Sequence, residues 1–343
     1  MEKSFLSVVK RRDIHEAVLM IENDEGNFSR SYTHGGRTID SPLVAASVTK
    51  LFTTTCILQM MVEGKISLSD RIEKYLDSTL VDGLHNFKGR DYSRQLTINH
   101  LLFQTSGLPD EFEEKSQSQT LQSYLAADHS LSFRQRVEQV KESPARFAPN
   151  GKKAFYANIN FDLLGRIIET IQQEGIADVF EKRIFRPLDM QNTYLPSHPH
   201  HIVPQIYYKN QILNRPLLIS SLGASGGAIS TARDLMCFSK AFWQGRLFDR
   251  RLFNELAQYK RLQISKGPIA YGGGYMRIAA GGLLTMFMGR GELLGHSGST
   301  GSFAFYHTHS KMHFVGDLNQ FANPALPIRL LLKLAVAASK RQQ

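Results

Sequence analysis

The chain has 343 residues, of which 42% are hydrophobic and 21% charged, so a disordered or low-complexity polymer is excluded and a sizeable core is expected. Lysine and arginine outnumber aspartate and glutamate by 41 to 31, a formal charge of +10. No zinc-finger spacing or aromatic RNA-binding signature accompanies that excess, so a solvated basic surface is a simpler account than an anionic partner such as nucleic acid, cell-wall polymer or anionic lipid. The two cysteines, Cys56 and Cys237, lie far apart in helix-like segments, which speaks against a disulfide framework and allows a reducing compartment.

The first residues read as a short helix, ended as an apolar stretch by Lys10, Arg11 and Arg12, too short for a secretory core. Residues 17–21 read as a buried strand, 23–26 as a turn, and 28–34 as the returning strand. From Ser47 onward Leu51, Phe52, Ile57, Leu58, Met61 and Val62 keep helical spacing, with Gly64 where a helix ends. Thr97 is placed to cap a short helix through Leu101, Leu102 and Phe103. Phe161, Leu164, Ile168 and Ile171 make one stripe of a helix expected to end near Gly175, and Thr231 starts another.

The last third changes character. Residues 271–275, 283–288, 302–306 and 313–318 read as short strands joined by glycine turns, which predicts an antiparallel sheet. Residues 325–338 are apolar but contain Arg329 and Lys333, so a packed amphipathic helix is expected rather than a membrane span. The predicted fold class is α+β, an antiparallel β-sheet flanked by helices with an inserted, mainly helical region. In this division residues 1–46 and 220–343 form the sheet domain, residues 47–219 the helical region, and the active site lies at the junction. A cytoplasmic protein without a membrane span is the expectation.

Ser47-Val48-Thr49-Lys50 is a Ser-x-x-Lys tetrad at the start of an apolar helix, and a spacing of three puts both side chains on one face. A serine hydroxyl needs a base to become a useful nucleophile. A lysine serves as that base only when neutral, and burial beside a helix N-terminus lowers its pKa. The same terminus offers backbone N–H groups for an oxyanion. Tyr156-Ala157-Asn158 adds a hydroxyl able to shuttle a proton and a carboxamide able to orient an amide or ester. His296-Ser297-Gly298 on a strand adds a glycine past which substrate can approach the strand edge. Each element alone has an ordinary structural explanation.

In this order the three elements resemble the serine β-lactamase and penicillin-binding protein superfamily. The chain is most similar to the class C branch, whose second motif is Tyr-x-Asn and whose third is Lys-Thr-Gly or His-x-Gly. Residues 101–109 resemble the family's LL-x-HTSGLP block, with Gln104 where histidine is common. Residues 184–193 resemble its PLGM-x-x-T block, and residues 226–235 its GG-x-x-STA-x-DL block. The resemblance implies a β-lactamase/transpeptidase-like fold and a covalent route. Ser47 attacks a carbonyl assisted by Lys50 and Tyr156, and Tyr156 protonates the leaving group and later activates water. Asn158 orients the substrate, and the N–H groups of Ser47 and Ser299 hold the oxyanion. His296 and Gly298 belong to the substrate-binding set, and no metal or organic cofactor is implied.

One departure bears on substrate. Where lactamases of the family usually present lysine, this chain has His296, a group mostly neutral near pH 7. That favours an esterase, a D-amino-acid peptidase or amidase, or a penicillin-binding-protein-like activity on a small-molecule or peptide acyl substrate. A β-lactamase proper and a catalytically silent binding protein on the same fold are the alternatives. Residues 223–227 also fit the Gly-x-Ser-x-Gly elbow of α/β-hydrolases around Ser225, with residues 217–219 as its strand and Glu292 and His296 as partners. The run 198–201 is rich in histidine without metal-ligand spacing, and Asp110, Glu111, Glu113 and Glu114 read as a solvated acidic face, which their position after the Ser-Gly-Leu-Pro block can also place near the cleft rim.

Overall fold

The computed structural model describes residues 1–110, 117–149, 152–197 and 201–341. Both ends of the chain build one antiparallel sheet. Helix α1 (Glu2–Val9) leads into strands β1 (Ala17–Asn23) and β2 (Ser29–His34). The remaining strands come late: β3 (Lys260–Arg261), β4 (Ala270–Tyr271), β5 (Met276–Ala279), β6 (Glu292–Ser297), β7 (Ser302–His307) and β8 (Met312–Asp317). Their order is β2-β1-β8-β7-β6-β5-β4-β3, so the N-terminal hairpin joins the sheet by pairing β1 with β8, Met20 facing Val315.

Every residue of β7 and β8 is buried, which requires cover on both faces. Helix α4 (Ala232–Gln244) packs on β1, β7 and β8, while α5 (Leu326–Ser339) packs on β6, β7 and β8 and against α1. Thr231 caps α4 by accepting the Asp234 N–H. The cap joins two family-like blocks, because Asp234 Oδ2 accepts from Asn192 N–H and from Thr193 Oγ1.

Helix α2 (Thr49–Val62) is buried on nearly all sides, as a central helix must be. Phe52 meets the edges of Phe180, Phe185 and Phe238. Helix α3 (Asn158–Gln172) crosses α2, and Gly165 lets it approach the turn at 223–226. A Cβ at Gly165 would lie 2.4 Å from the Ala224 Cβ, so only glycine permits the contact. The α3 helix ends earlier than Gly175, because Gln173 takes the left-handed conformation at φ +55°.

Of the predicted strands, 271–275 keeps only Tyr271, the end of β4, and 283–288 is absent. Residues 272–274 form the bend between β4 and β5, and residues 282–285 form a 3-10 turn on an exposed loop between β5 and β6. Apolar residues and glycines there imitate a strand locally, but no partner strand is left to pair with them. Among the described residues no helix is long and apolar enough to cross a membrane.

Candidate active site

Ser47 sits in a 3-10 turn (Ala46–Val48) that runs directly into α2. The turn is entered through Ala46 at φ +45°, a conformation that costs a residue with a Cβ about 1–2 kcal/mol. It persists because its surroundings over-determine it. Ala45 donates its N–H to Ala228 O at 2.9 Å and accepts from Ser302 Oγ at 2.7 Å, and Thr300 Oγ1 donates to Val44 O at 3.0 Å. Gly298 closes the clamp. A Cβ there would stand 2.2 Å from Ser302 Oγ and 2.8 Å from both Ala45 O and the Ala46 Cβ. This glycine therefore lets the sheet approach the nucleophile's own segment.

Lys50 is completely buried one turn beyond Ser47. Its amine reaches Ser47 Oγ at 3.0 Å, Asn158 Oδ1 at 2.8 Å and Ser225 O at 2.6 Å. The last two atoms can only accept, so they take two N–H bonds whatever the charge of the amine. The third direction faces Ser47. Once Lys50 is neutral, its lone pair points at the Ser47 hydroxyl. Burial pushes the Lys50 pKa down to about 7, with Asp162 and Asp110 pulling it back up and Lys266 pushing it further down. A useful share of neutral amine thus exists near pH 7. Asp162 is itself buried and held by Arg136 Nε at 3.1 Å.

Tyr156 places its hydroxyl 2.9 Å from Ser47 Oγ, opposite Lys50 in function. The Lys50 and Lys266 amines both lie 5.2 Å from the centre of its ring. The backbone that presents Tyr156 and Asn158 is the unsupported start of α3, where N–H groups lack helical partners. Three side chains from two segments, the loop at 104–110 and the turn at 263, fill that gap. Gln263 Oε1 accepts from Tyr156 N–H at 2.9 Å, Gln104 Oε1 from Ala157 N–H at 2.9 Å, and Asp110 Oδ2 from Asn158 N–H at 2.6 Å. Gln104 also accepts Phe155 N–H on its own carbonyl and takes a positive φ of +58° to do so.

The third motif divides. Ser299 is exposed and lines the same cavity as Ser47, Tyr156 and Asn158. His296 is fully buried behind them, its Nε2 3.2 Å from the Tyr271 hydroxyl and its Nδ1 2.9 Å from Ser297 O. A carbonyl only accepts, so Nδ1 carries the proton and Nε2 accepts from Tyr271. Burial, reinforced by Lys50, pushes the His296 pKa down to about 3, which leaves the ring neutral. It does not line the cavity.

Other expectations are corrected. Residues of the supposed elbow strand form a helix (Pro216–Ser221), and Ser225 lies in a helical turn with its Oγ donating to Leu222 O. Glu292 pairs with Arg277, so no triad forms around Ser225. What that segment gives the site is a carbonyl, Ser225 O, for Lys50. Asp110 is 3% exposed and holds the Asn158 N–H, so it is no part of a solvated face. Glu111, Glu113 and Glu114 lie outside the described residues, as do His198 and His200; His201 accepts from Ser197 N–H. Among the described residues no cluster of three or more metal-ligating side chains exists. Cys56 and Cys237 are free thiols.

The cavity in front of Ser47 measures about 520 Å³. Residues with no motif spacing complete it. Lys266 and Arg215 line it, and Gln263 and Gln104 brace it from behind. Only Gln104 carried a sequence signal, its place in a family-like block.

A model of the Beta-lactamase family matches residues 8–337. A solved D-stereospecific amidohydrolase from Streptomyces sp. superposes with a TM-score of 0.75 at 27% identity, covering 90% of each chain. Monacolin J acid methylbutanoyltransferase from Aspergillus terreus is 28% identical over 208 residues, 55% of this chain and 49% of that protein. A putative D-alanyl-D-alanine carboxypeptidase from Escherichia coli K12 is 30% identical over 149 residues, 43% of this chain and 32% of that protein. The match thus spans about half, or less, of these two curated relatives.

Proposed function

The chain belongs to the Beta-lactamase family, and on that premise we propose that it is a serine hydrolase that forms an acyl-enzyme on Ser47. The observation that carries this reading is the position of Ser47 Oγ, 3.0 Å from a buried amine whose pKa is about 7 and 2.9 Å from the Tyr156 hydroxyl. Ser47 Oγ bonds to the carbonyl carbon of an ester or amide, and its proton passes to neutral Lys50. The N–H groups of Ser47 and Ser299 hold the oxyanion. Tyr156 delivers a proton to the departing alcohol or amine as the old bond breaks, and Lys50 restores it. Water then attacks the acyl-enzyme with its proton leaving by the same groups, which frees the acid and Ser47. Asn158 shares its carboxamide between Lys50, through Oδ1, and the bound acyl group.

The names of the relatives, an amidohydrolase, a carboxypeptidase and an acyltransferase, all describe transfer of an acyl group. The neutral His296 leaves no fixed cation at the third motif, which supports esterase or amidase work over β-lactam destruction. The test is labelling with a fluorophosphonate followed by peptide mapping. The label is expected on Ser47, and Ser47→Ala is expected to lose both the label and turnover of p-nitrophenyl esters. A label on Ser225, or unchanged turnover by Ser47→Ala, overturns the proposal.

A further inference from the structure

The wall of the cavity away from Lys50 is apolar. Ile206, Tyr208, Leu213, Leu218, Ile219 and Phe321 line it. Several of these form a small hydrophobic cluster of their own with Val44 and Ala46, separate from the main core. The apolar lining is thus a built surface and not a by-product of the core beneath. Three charged residues also line the cavity, Asp110, Arg215 and Lys266, and each is engaged by groups of the protein itself. The Arg215 guanidinium donates to three backbone carbonyls, those of Tyr124, Asn214 and Leu125. Asp110 holds the Asn158 N–H, and Lys266 stands beside Tyr156 at the reacting end.

We infer that the acyl group carried by Ser47 is an uncharged, hydrophobic chain or ring, so that the substrates are esters or amides of apolar acids. This rests on the acyl-enzyme reading above and names its substrate class. A cavity of about 520 Å³ lies within the ~300–1,000 Å³ that encloses a small organic ligand. Each methylene buried there is worth about fourfold in kcat/KM. Chain ordering offsets part of this, so p-nitrophenyl octanoate is expected to exceed the acetate by at least ~30-fold. The p-nitrophenyl monoester of succinic acid, with an anionic acyl end, is expected to fall below the butyrate. Leu218→Trp, which fills the far wall, is expected to cut the octanoate-to-acetate ratio at least ~10-fold. Binding is read separately on Ser47→Ala by thermal shift, with methyl octanoate expected to raise Tm and methyl acetate not. Turnover with a flat chain-length series and no shift overturns this inference and leaves the acyl-enzyme reading standing. A shift without any Ser47-dependent turnover does the reverse.

A second observation stands apart from the site. The loop between β5 and β6 exposes Leu283, Leu284, Met286, Phe287 and Met288, with Leu283 at 85% and Met286 and Phe287 at 75%. The loop is closed by Phe287 N–H to Gly282 O at 2.8 Å and Gly289 N–H to Thr285 Oγ1 at 3.2 Å. Met286 and Phe287 both take left-handed backbone, φ +49° and +60°, an unfavourable conformation for side chains of this size. Helix α5 packs against this loop and exposes Arg329 and Lys333, with Lys340 exposed just past its end, while α1 beside α5 exposes Lys3 and one acidic residue, Glu2. The whole chain carries +10, which opposes pairing of like copies and complements an anionic surface.

We propose that this loop inserts into the interface of an anionic phospholipid bilayer without spanning it. The test is co-sedimentation of the whole protein with phosphatidylglycerol and phosphatidylcholine vesicles. Binding at least ~10-fold tighter to the anionic vesicles is expected, with loss of at least ~10-fold in a Met286→Ser, Phe287→Ser double variant that keeps its turnover of a water-soluble ester. No sedimentation with either vesicle overturns it. So does a dimer of the unaltered protein that the same double variant dissociates.

Discussion

The two walls that meet at Ser47 are made of opposite materials. On one side the wall is a hydrogen-bonded network: Lys50 on Ser225 O and Asn158, and the N–H groups of Tyr156, Ala157 and Asn158 on three separate side-chain acceptors. On the other side the wall is an apolar cluster whose members contribute area and little direction. Buried hydrogen-bonded networks are intolerant, because removing one partner strands another. Apolar walls yield gradually, in proportion to the area or volume changed. Chemistry is therefore fixed on the first wall, and selectivity can drift on the second. Ala46 belongs to both, since it lies in the apolar cluster and sets the direction of Ser47.

The sharpest way to break this comparison is Lys50→Ala. It removes the base and leaves the apolar wall untouched, so kcat/KM is expected to fall by about 10³-fold or more. The ratio of octanoate to acetate hydrolysis in the residual activity should stay as it was. Steady-state kinetics on both esters measures this, and a loss below tenfold removes Lys50 from the mechanism. Next in size is Gly298→Ala, which forces a Cβ against Ser302 Oγ and Ala45 O. Overpacking of this kind costs about 1–3 kcal/mol, seen as a Tm lower by several degrees. Because the displaced atoms hold Ala46, kcat is expected to fall with it. A variant with unaltered Tm and kcat would show that the sheet does not clamp the nucleophile.

The polar wall was far more legible in the sequence than its supports. Ser47, Lys50, Tyr156 and Asn158 stand at short spacings fixed by a helix start, and such spacings survive folding. Gln263 and Lys266 reach the site from one short turn far along the chain, and no local pattern marks a side chain that works at a distance. Asp110 stands in an acidic run whose charge suggests solvent and whose place after the Ser-Gly-Leu-Pro block suggests the cleft rim; it lines the cavity but is buried, holding the Asn158 N–H. His296 lies on its expected strand, yet its position in a motif could not show which way the ring turns. The fold divides in the same way. The N-terminal hairpin and the helices at Thr97 and Thr231 follow from apolar period and caps. Residues 283–288 look like a strand for their apolar content, and only the pairing of β5 with β6, Met276 facing Gly295, leaves them outside the sheet.

The smallest expected effects come from charges that reach Lys50 through space, and they separate it from His296. The base must be neutral, so kcat/KM should rise with pH through about 7 and then level off as Lys50 loses its proton. An ordinary histidine would titrate in nearly the same window, but His296 is held down at about 3 and stays neutral throughout. His296→Asn should therefore leave this rise where it is. Asp110 raises the Lys50 pKa and Lys266 lowers it. Asp110→Asn keeps an acceptor for the Asn158 N–H and removes the charge, so the rise should move to lower pH. Lys266→Ala should move it to higher pH. Opposite displacements are expected of a titrating group that feels both charges, as Lys50 does. If both variants shift the profile in one direction, or neither moves it, the titrating group is not Lys50.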